Sequence, residues 1–256
     1  MSKFLVFCLH GPLCSWGEVA VGEERVSQAH PTRSAVMGLV AGALGLRRSQ
    51  EDDLKALDRS LGLAVRVISA GRPLTDFHTI EVPRAKKNVR HATRRAELLA
   101  AKEQDDNPML SFRHYRQDAF YLACLWEKET PPPWPLQQIA QALDRPVFIP
   151  SLGRKSCPPA LPFAPRLVEA LGIRQALAAE RIFTTEAEVR SRLKDLAPGL
   201  GEVFWDEDTG GVPTGLEGQA SEVFHRRDRL SSRRRWQYAP RREARAPWDI
   251  PAGREE

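Results

Sequence analysis

The sequence predicts an α+β fold, on the strength of three observations. Apolar runs of strand length recur, of which KFLVFCLH (Lys3–His10) and DAFYLACLW (Asp118–Trp126) are the strongest. Between and after them lie stretches with helical spacing or helix start signals. A polar, strongly basic stretch without apolar periodicity interrupts the series and reads as an arm that projects from the core.

Taken in order, Lys3–His10 ends at Gly11-Pro12 and reads as a buried first strand. Trp16-Gly17 and the strand-like Val19–Gly22 mark a glycine-punctuated connection. His30–Leu46 (HPTRSAVMGLVAGALGL) reads as a central helix: Thr32 or Ser34 can cap its start, and Pro31 brings a fixed φ that such starts tolerate. Gly38, Gly42 and Gly45 fall on related faces. Because glycine costs helix stability, they predict close backbone approach to a neighbouring layer, a sheet. In Glu51–Leu61 the leucines Leu54, Leu57 and Leu61 share one face. Leu63–Ser69 alternates as a strand, Gly71-Arg72-Pro73 turns, and Leu74–Val82 reads as its partner strand. Pro83–Ser111 forms the arm, with a short helix at Ala96–Lys102. After Asp118–Trp126 come a stiff connector, Thr130–Pro135 (TPPPWP), a helix at Leu136–Leu143 and a short strand at Pro146–Pro150. The order β–α–β–β–arm–β–α–β is close to a ferredoxin-like or RRM-like sheet with helices on one face. Beyond it, Val203–Trp205 reads as a strand. Ser221–Leu230 and Arg234–Tyr238 read as a basic antiparallel pair in a smaller, β-rich C-terminal region.

Charge is distributed in blocks. The net charge is only +5, but PRAKKNVRHATRR from Pro83 holds six Lys/Arg, and nine arginines lie between Arg226 and Arg245. Two such blocks point to a polyanion, nucleic acid before membrane. Cys8, Cys14, Cys124 and Cys157 show neither a CxxC pair nor metal-ligand spacing and read as buried thiols. Neither a metal nor another cofactor is implied. The Gly38–Gly42 GxxxG sits in an apolar run too short to span a bilayer, and Phe4–Leu9 lacks a cleavage site, so a cytoplasmic protein is expected.

Two stretches carry candidate contacts. His30, Arg33 and Ser34 sit at the opening turn of the central helix, where free N–H groups and an arginine suit a phosphate. In Ser151–Pro159 (SLGRKSCPP), Gly153 loosens the backbone, Arg154 and Lys155 are adjacent cations, and Ser156 adds a hydroxyl, a combination suited to phosphate or ribose. The C-terminal arginines, interleaved with Trp236 and Tyr238, suit backbone neutralisation with stacking, although Trp236 reads first as a packing residue.

In order along the chain, Leu9-His10-Gly11-Pro12, Ser15-Trp16-Gly17, His30-Pro31-Thr32-Arg33-Ser34, Asp76-Phe77-His78-Thr79, the Arg113–Phe120 segment and Gly153-Arg154-Lys155-Ser156-Cys157-Pro158 resemble the Cas5 (CasD) family of type I-E CRISPR systems. The resemblance implies an RRM-like core, residues 1–150, with a β-hairpin thumb inserted at 83–116. A C-terminal basic region, 151–248, and a disordered tail, 249–256, complete the expected division. It further implies a non-catalytic subunit of the Cascade antiviral surveillance complex that caps the 5′ handle of the crRNA and contacts the Cas7 backbone and the large Cas8 subunit, with target DNA a further partner within the complex. RNA contacts would come from Arg84, Lys86, Lys87, Arg90 and Arg94 on the thumb, from Tyr115 at its base, from His30, Arg33 and Ser34 on the core, and from Arg154, Lys155 and Ser156 in the loop that follows. Type I-C relatives cut precursor crRNA themselves. The alternative is therefore a metal-independent endoribonuclease, for which His78, His91, His114, Lys86 and Tyr115 supply the residue types.

Overall fold

Alternation along the first apolar run decides the architecture. β1 (Ser2–His10) sends Phe4, Val6 and Cys8 to one core and Leu5, Phe7 and Leu9 to another, and all six are buried. A strand apolar on both faces belongs in the middle of a sheet covered on both sides. β9 (Phe120–Glu127) and β6 (Leu61–Ser69) are divided in the same way: Tyr121, Ala123 and Leu125 face one core, Leu122, Cys124 and Trp126 the other.

The computed structural model describes residues 1–18, 20, 22–81, 88–101, 108–178, 201–216 and 222–248. The other described strands are β2 (Leu13–Cys14), β3 (Trp16–Gly17), β4 (Glu24–Arg25), β5 (Ser27–Gln28), β7 (Arg72–Glu81), β8 (Pro108–Gln117), β10 (Arg166–Ala170), β11 (Glu202–Asp206), β12 (Glu222–Ser232) and β13 (Gln237–Pro247). The helices are α1 (Arg33–Ala43), α2 (Glu51–Ser60), α3 (Arg94–Ala101), α4 (Leu136–Asp144) and α5 (Ile173–Ala178). The main sheet has seven strands in the order β10-β1-β9-β6-β11-β13-β12, every neighbouring pair antiparallel. Helices α1, α2 and α4 cover one face through Val36, Val40, Leu57, Ile139 and Leu143. The other face is covered by Ile173 and Leu177 of α5 and by Trp248. Each such buried aliphatic side chain contributes about 1.5–3 kcal/mol, so the double-faced sheet is the stable platform on which the rest is mounted.

Several expectations change in the fold. Leu74–Val82 is not the partner of Leu63–Ser69: β6 pairs with β9 and β11, while β7 pairs along its whole length with β8. The β7–β8 ribbon belongs to a second sheet with β2 and β4. Pro146–Pro150 is not a strand. The amides of Val147 and Phe148 instead donate to the carbonyls of Ala43 and Gly42 at the end of α1, and the outer strand beside β1 is β10. Within 151–248 the described strands extend the main sheet, β10 at one edge and β11, β13 and β12 at the other. In the Val19–Gly22 segment Gly22 is in a turn, and the short strands β4 and β5 follow it; Val19 and Val21 lie outside the described residues, as does the expected tail, 249–256.

The glycines of α1 also differ from expectation. A Cβ added at Gly38 or Gly42 would meet nothing within 4 Å, so neither packs against the sheet. Gly45 does have a structural reason. At φ +79° it ends the helix, with its amide bonded to the Gly42 carbonyl and that of Leu46 to the Ala41 carbonyl. That is a Schellman arrangement, in which glycine takes the left-handed position without a Cβ penalty. Among the described residues no helix is long and apolar enough to cross a membrane.

Candidate nucleic-acid interface

The start of α1 is capped by the protein itself. Thr32 is the N-cap, its hydroxyl accepting from the Ala35 amide at 3.3 Å. The Arg33 amide donates to Asp228 Oδ2 at 2.8 Å, so the anion at this helix terminus is a carboxylate delivered from β12. Arg33 is buried too: Nε donates to Asp58 Oδ1 at 3.0 Å and Nη2 to the Leu61 carbonyl at 2.8 Å, with further bonds to the Asp206 carboxylate and the Asp58 carbonyl. His30 is likewise enclosed, stacked on Phe204 with centroids 3.6 Å apart and with Nε2 3.1 Å from Glu243 Oε2. The expectation that His30 and Arg33 face a phosphate is therefore corrected. Both are core residues of an ion network.

Arg241 completes that network. It grips Asp228 bidentately, at 2.6 and 3.0 Å, and reaches Asp206 at 3.1 Å and Glu243 at 2.6 Å. Arg226 approaches Glu243 Oε2 at 2.5 Å. Burial opposes ionisation of Glu243, yet the His30 hydrogen bond and the Arg241 and Arg226 charges outweigh it and bring its pKa down to about 2. At Asp58 burial wins over Arg33 and Arg229, and its pKa is raised. The network ties α1, α2, β11, β12 and β13 together at one end of the sheet, and breaking one member of so buried a set costs about 3–5 kcal/mol.

Beside it runs a groove of about 650 Å³. Its floor is the outer face of α1, where Ser34, Gly38 and Gly42 present small or absent side chains. One wall is the segment Phe148–Ile149–Pro150 with Gly153 and Arg154; Phe148 and Ile149 are exposed apolar residues. The other wall belongs to β12–β13 and carries Arg226, Arg227, Arg233, Trp236 and Tyr238. Arginines, exposed apolar side chains and a helix face with small side chains meet in this groove, which also carries Glu18, a combination suited to a strand that offers both phosphates and bases. Trp236 is half exposed, and the guanidiniums of Arg48 and Arg233 lie 4.4 and 4.2 Å from its ring centre. It thus holds cations at the hairpin tip rather than packing in a core.

Of the remaining candidates, Ser34 and Arg154 line the groove. Arg154 stacks 4.6 Å over the Tyr115 ring and donates through Nη2 to the Arg25 carbonyl at 2.9 Å. Tyr115 itself is buried, so it supports Arg154 and offers no face to a base, which corrects its assignment as a contact. Lys155 and Ser156 are exposed but do not line the groove. On the arm, Arg84, Lys86 and Lys87 lie outside the described residues; Arg90 is exposed, and Arg94 pairs with Glu97 at 2.6 Å. Arg226, Arg227 and Arg233 belong to the C-terminal arginines that the sequence offers as a group through their density, whereas Phe148 and Ile149 carry only the composition of a strand.

His78 and His114 are not brought together. His78 lies opposite Ser111 and His114 opposite Thr75, and residues three apart along a strand face opposite sides of the ribbon. His78 pairs with Asp76 at 2.6 Å and His114 with Glu24 at 2.7 Å. The four cysteines are buried and unpaired by disulfides, and burial pushes the Cys8 and Cys14 thiols up to about 12. Among the described residues no three His, Cys, Asp or Glu side chains are arranged to hold a metal ion.

Residues 4–242 match the family described as CRISPR-associated protein (Cas_Cas5). The chain belongs to the Cas5 family. It is similar to the CRISPR system Cascade subunit CasD of Escherichia coli (strain K12), at 29% identity over 167 residues, 62% of this chain and 68% of that protein. Among solved structures it resembles a chain of a CRISPR RNA-guided surveillance complex, with TM-score 0.62 and 27% identity over 98% of this chain and 92% of that one. A structure described as a Cas protein shares the fold, at TM-score 0.53 and 24% identity over 95% of both chains. In this Cas5 chain the groove brings Ser34 of α1 together with Arg154 and the arginines of the C-terminal hairpin.

Proposed function

We propose that this Cas5 chain is the non-catalytic, crRNA-capping subunit of a type I-E Cascade complex, a cytoplasmic assembly in which it holds the 5′ handle of the guide and contacts Cas7 and Cas8. The groove carries the reading: arginines of the hairpin and Arg154, the exposed apolar Phe148 and Ile149, and a side-chain-poor helix face line one cleft. Single-stranded RNA is bound by just such a combination of charge and stacking surface. The similarity to a Cascade CasD subunit and to a chain of an RNA-guided surveillance complex supports the same assignment.

The strand order β10-β1-β9-β6, with α1–α2 and α4 as crossovers on one face, supports the ferredoxin-like, RRM-like reading of the core. The β7–β8 ribbon, which leaves the main sheet and carries the basic arm, supports the thumb reading. Separation of His78 and His114 onto opposite faces of that ribbon favours binding over the endoribonuclease alternative, since acid and base must converge on one phosphodiester. The test is incubation of the purified chain with repeat-containing precursor RNA in EDTA, followed on denaturing and binding gels. Intact RNA that shifts only when the 5′ handle is present is the expected result. Discrete cleavage, lost on changing His78, His91 or His114, would make the chain a processing nuclease.

A further inference from the structure

Asp228 is out of place by charge alone. Two carboxylates stand among the residues lining a groove suited to a polyanion: Glu18, which is exposed and 3.5 Å from Arg226, and Asp228, between Arg227 and Arg229 in sequence. Repulsion of phosphate by such a group would weaken binding, so the presence of Asp228 requires a reason. The geometry supplies one. Along β12 and β13 the register runs Arg226↔Arg241 and then Arg229↔Ala239, so residues 227 and 228 stand opposite Pro240 alone. This is a β-bulge, a device that re-aims a side chain, and Pro240 has no amide to offer the ladder there. The bulge leaves Arg227 exposed and Asp228 buried. Inside, Asp228 accepts from the Arg33 amide at the first turn of α1 and from Arg241 through both oxygens.

We infer that Asp228 is a positioning residue for the RNA groove: it pegs the cationic hairpin to the start of α1 and so sets the distance between the arginine wall and the glycine floor. The inference rests on the RNA-binding reading above. It assigns the residue a role opposite in sign to its charge, and that opposition makes it testable. Arg226 and Arg227 adjoin the peg, and Arg233 follows at the turn. If the peg is released, these cations move away from the floor although none has been removed.

The experiment compares the full chain with Asp228→Asn in equilibrium binding to a single-stranded 5′-handle RNA across a range of salt concentrations. Asparagine keeps the size and an acceptor for the Arg33 amide but loses the ion pair with Arg241. Positioning predicts that affinity falls roughly tenfold and that the salt slope falls by about 1.4 to 2, at roughly 0.7 per lost phosphate contact. Tighter binding with an unchanged or steeper slope is the electrostatic outcome and would overturn the inference. A variant with a reduced active fraction but wild-type affinity and slope would show a folding role only, and would also overturn it. Should Asp228→Asn fail to fold, Asp228→Ser, whose hydroxyl still accepts from the Arg33 amide, takes its place under the same criteria. Hydrogen exchange of β12 and β13 against β1 and β9 reads hairpin docking without RNA. Selective loss of protection in the hairpin is expected, and uniform protection would overturn the peg. A wild-type chain that binds no RNA overturns the functional reading itself, which the variant comparison alone does not.

Discussion

Gly153 and Gly38 show how differently one residue type is used in this chain. At Gly153, φ is +91° and an added Cβ would lie 1.8 Å from the Ser15 carbonyl oxygen, a backbone atom with nowhere to go. Gly153→Ala should destabilise the chain by about 1–3 kcal/mol or more in urea unfolding and displace Arg154 from Tyr115. At Gly38 the space above the helix is open, so alanine should raise stability by about 0.5–1 kcal/mol while lowering RNA affinity, because its methyl stands on the groove floor. A rise in both would remove the floor from the contact surface. Glu243 gives a pH prediction. Its folded-state pKa of about 2 lies below the ordinary 4.5, so the unfolded chain takes up the proton first. Its stabilisation is complete above about pH 4.5 and is lost as pH falls toward 2. Glu243→Gln should be less stable at pH 7 yet lose stability less steeply between pH 4.5 and 2, measured by urea unfolding at each pH. Such roles were only partly legible in the sequence. Residue types at the opening turn suit an anion, but the partners that claim Arg33 come from Asp58, Asp206 and Asp228, up to 195 residues away. Local sequence offers an arginine; only the topology decides whether its anion is a phosphate or a carboxylate.

The β12–β13 hairpin is the decisive element. Its residues hold the ion network and line the groove, Arg226 and Asp228 doing both, so one strand pair joins stability to binding. Replacing Arg227 and Arg233 by alanine removes cations that no buried carboxylate claims. The double variant should keep its thermal midpoint within a few degrees and lose about 1.4 units of salt slope against single-stranded RNA, at roughly 0.7 per contact. An unchanged slope would place the phosphates elsewhere. Elements buried on both faces were readable from apolar runs alone, as β1 and β9 were. Elements at edges were not. β10 (RLVEA) is largely exposed and has no pattern to announce it, whereas Val147–Phe148–Ile149 has the composition of a strand but is bracketed by Pro146 and Pro150 and held to the end of α1. Pairing of the ribbon is hidden for a similar reason, since Leu63–Ser69 and Leu74–Val82 are adjacent in sequence, and a turn between two alternating runs predicts a hairpin. The long-range strands β9 and β11 compete for both edges of β6 and leave none for β7.

Across the whole molecule, a double-faced sheet fixes separate pieces of chain around one groove: residues 15–18 and 20, and three larger pieces, the face of α1, the loop after α4 and the C-terminal hairpin. None of the three would hold a strand of RNA alone, and their assembly depends on contacts spanning almost the full chain. This is why the family was legible from ordered motifs while the surface itself was not. The motifs mark where backbone and buried side chains must be fixed, and the groove lies among them. The most direct measurement is photo-crosslinking of a 5′-handle RNA carrying 4-thiouridine, with the crosslinked peptides identified by mass spectrometry. The account predicts crosslinks from all three pieces, within residues 34–42, 148–154 and 226–238. Crosslinks confined to other surfaces, with none in those segments, would contradict it.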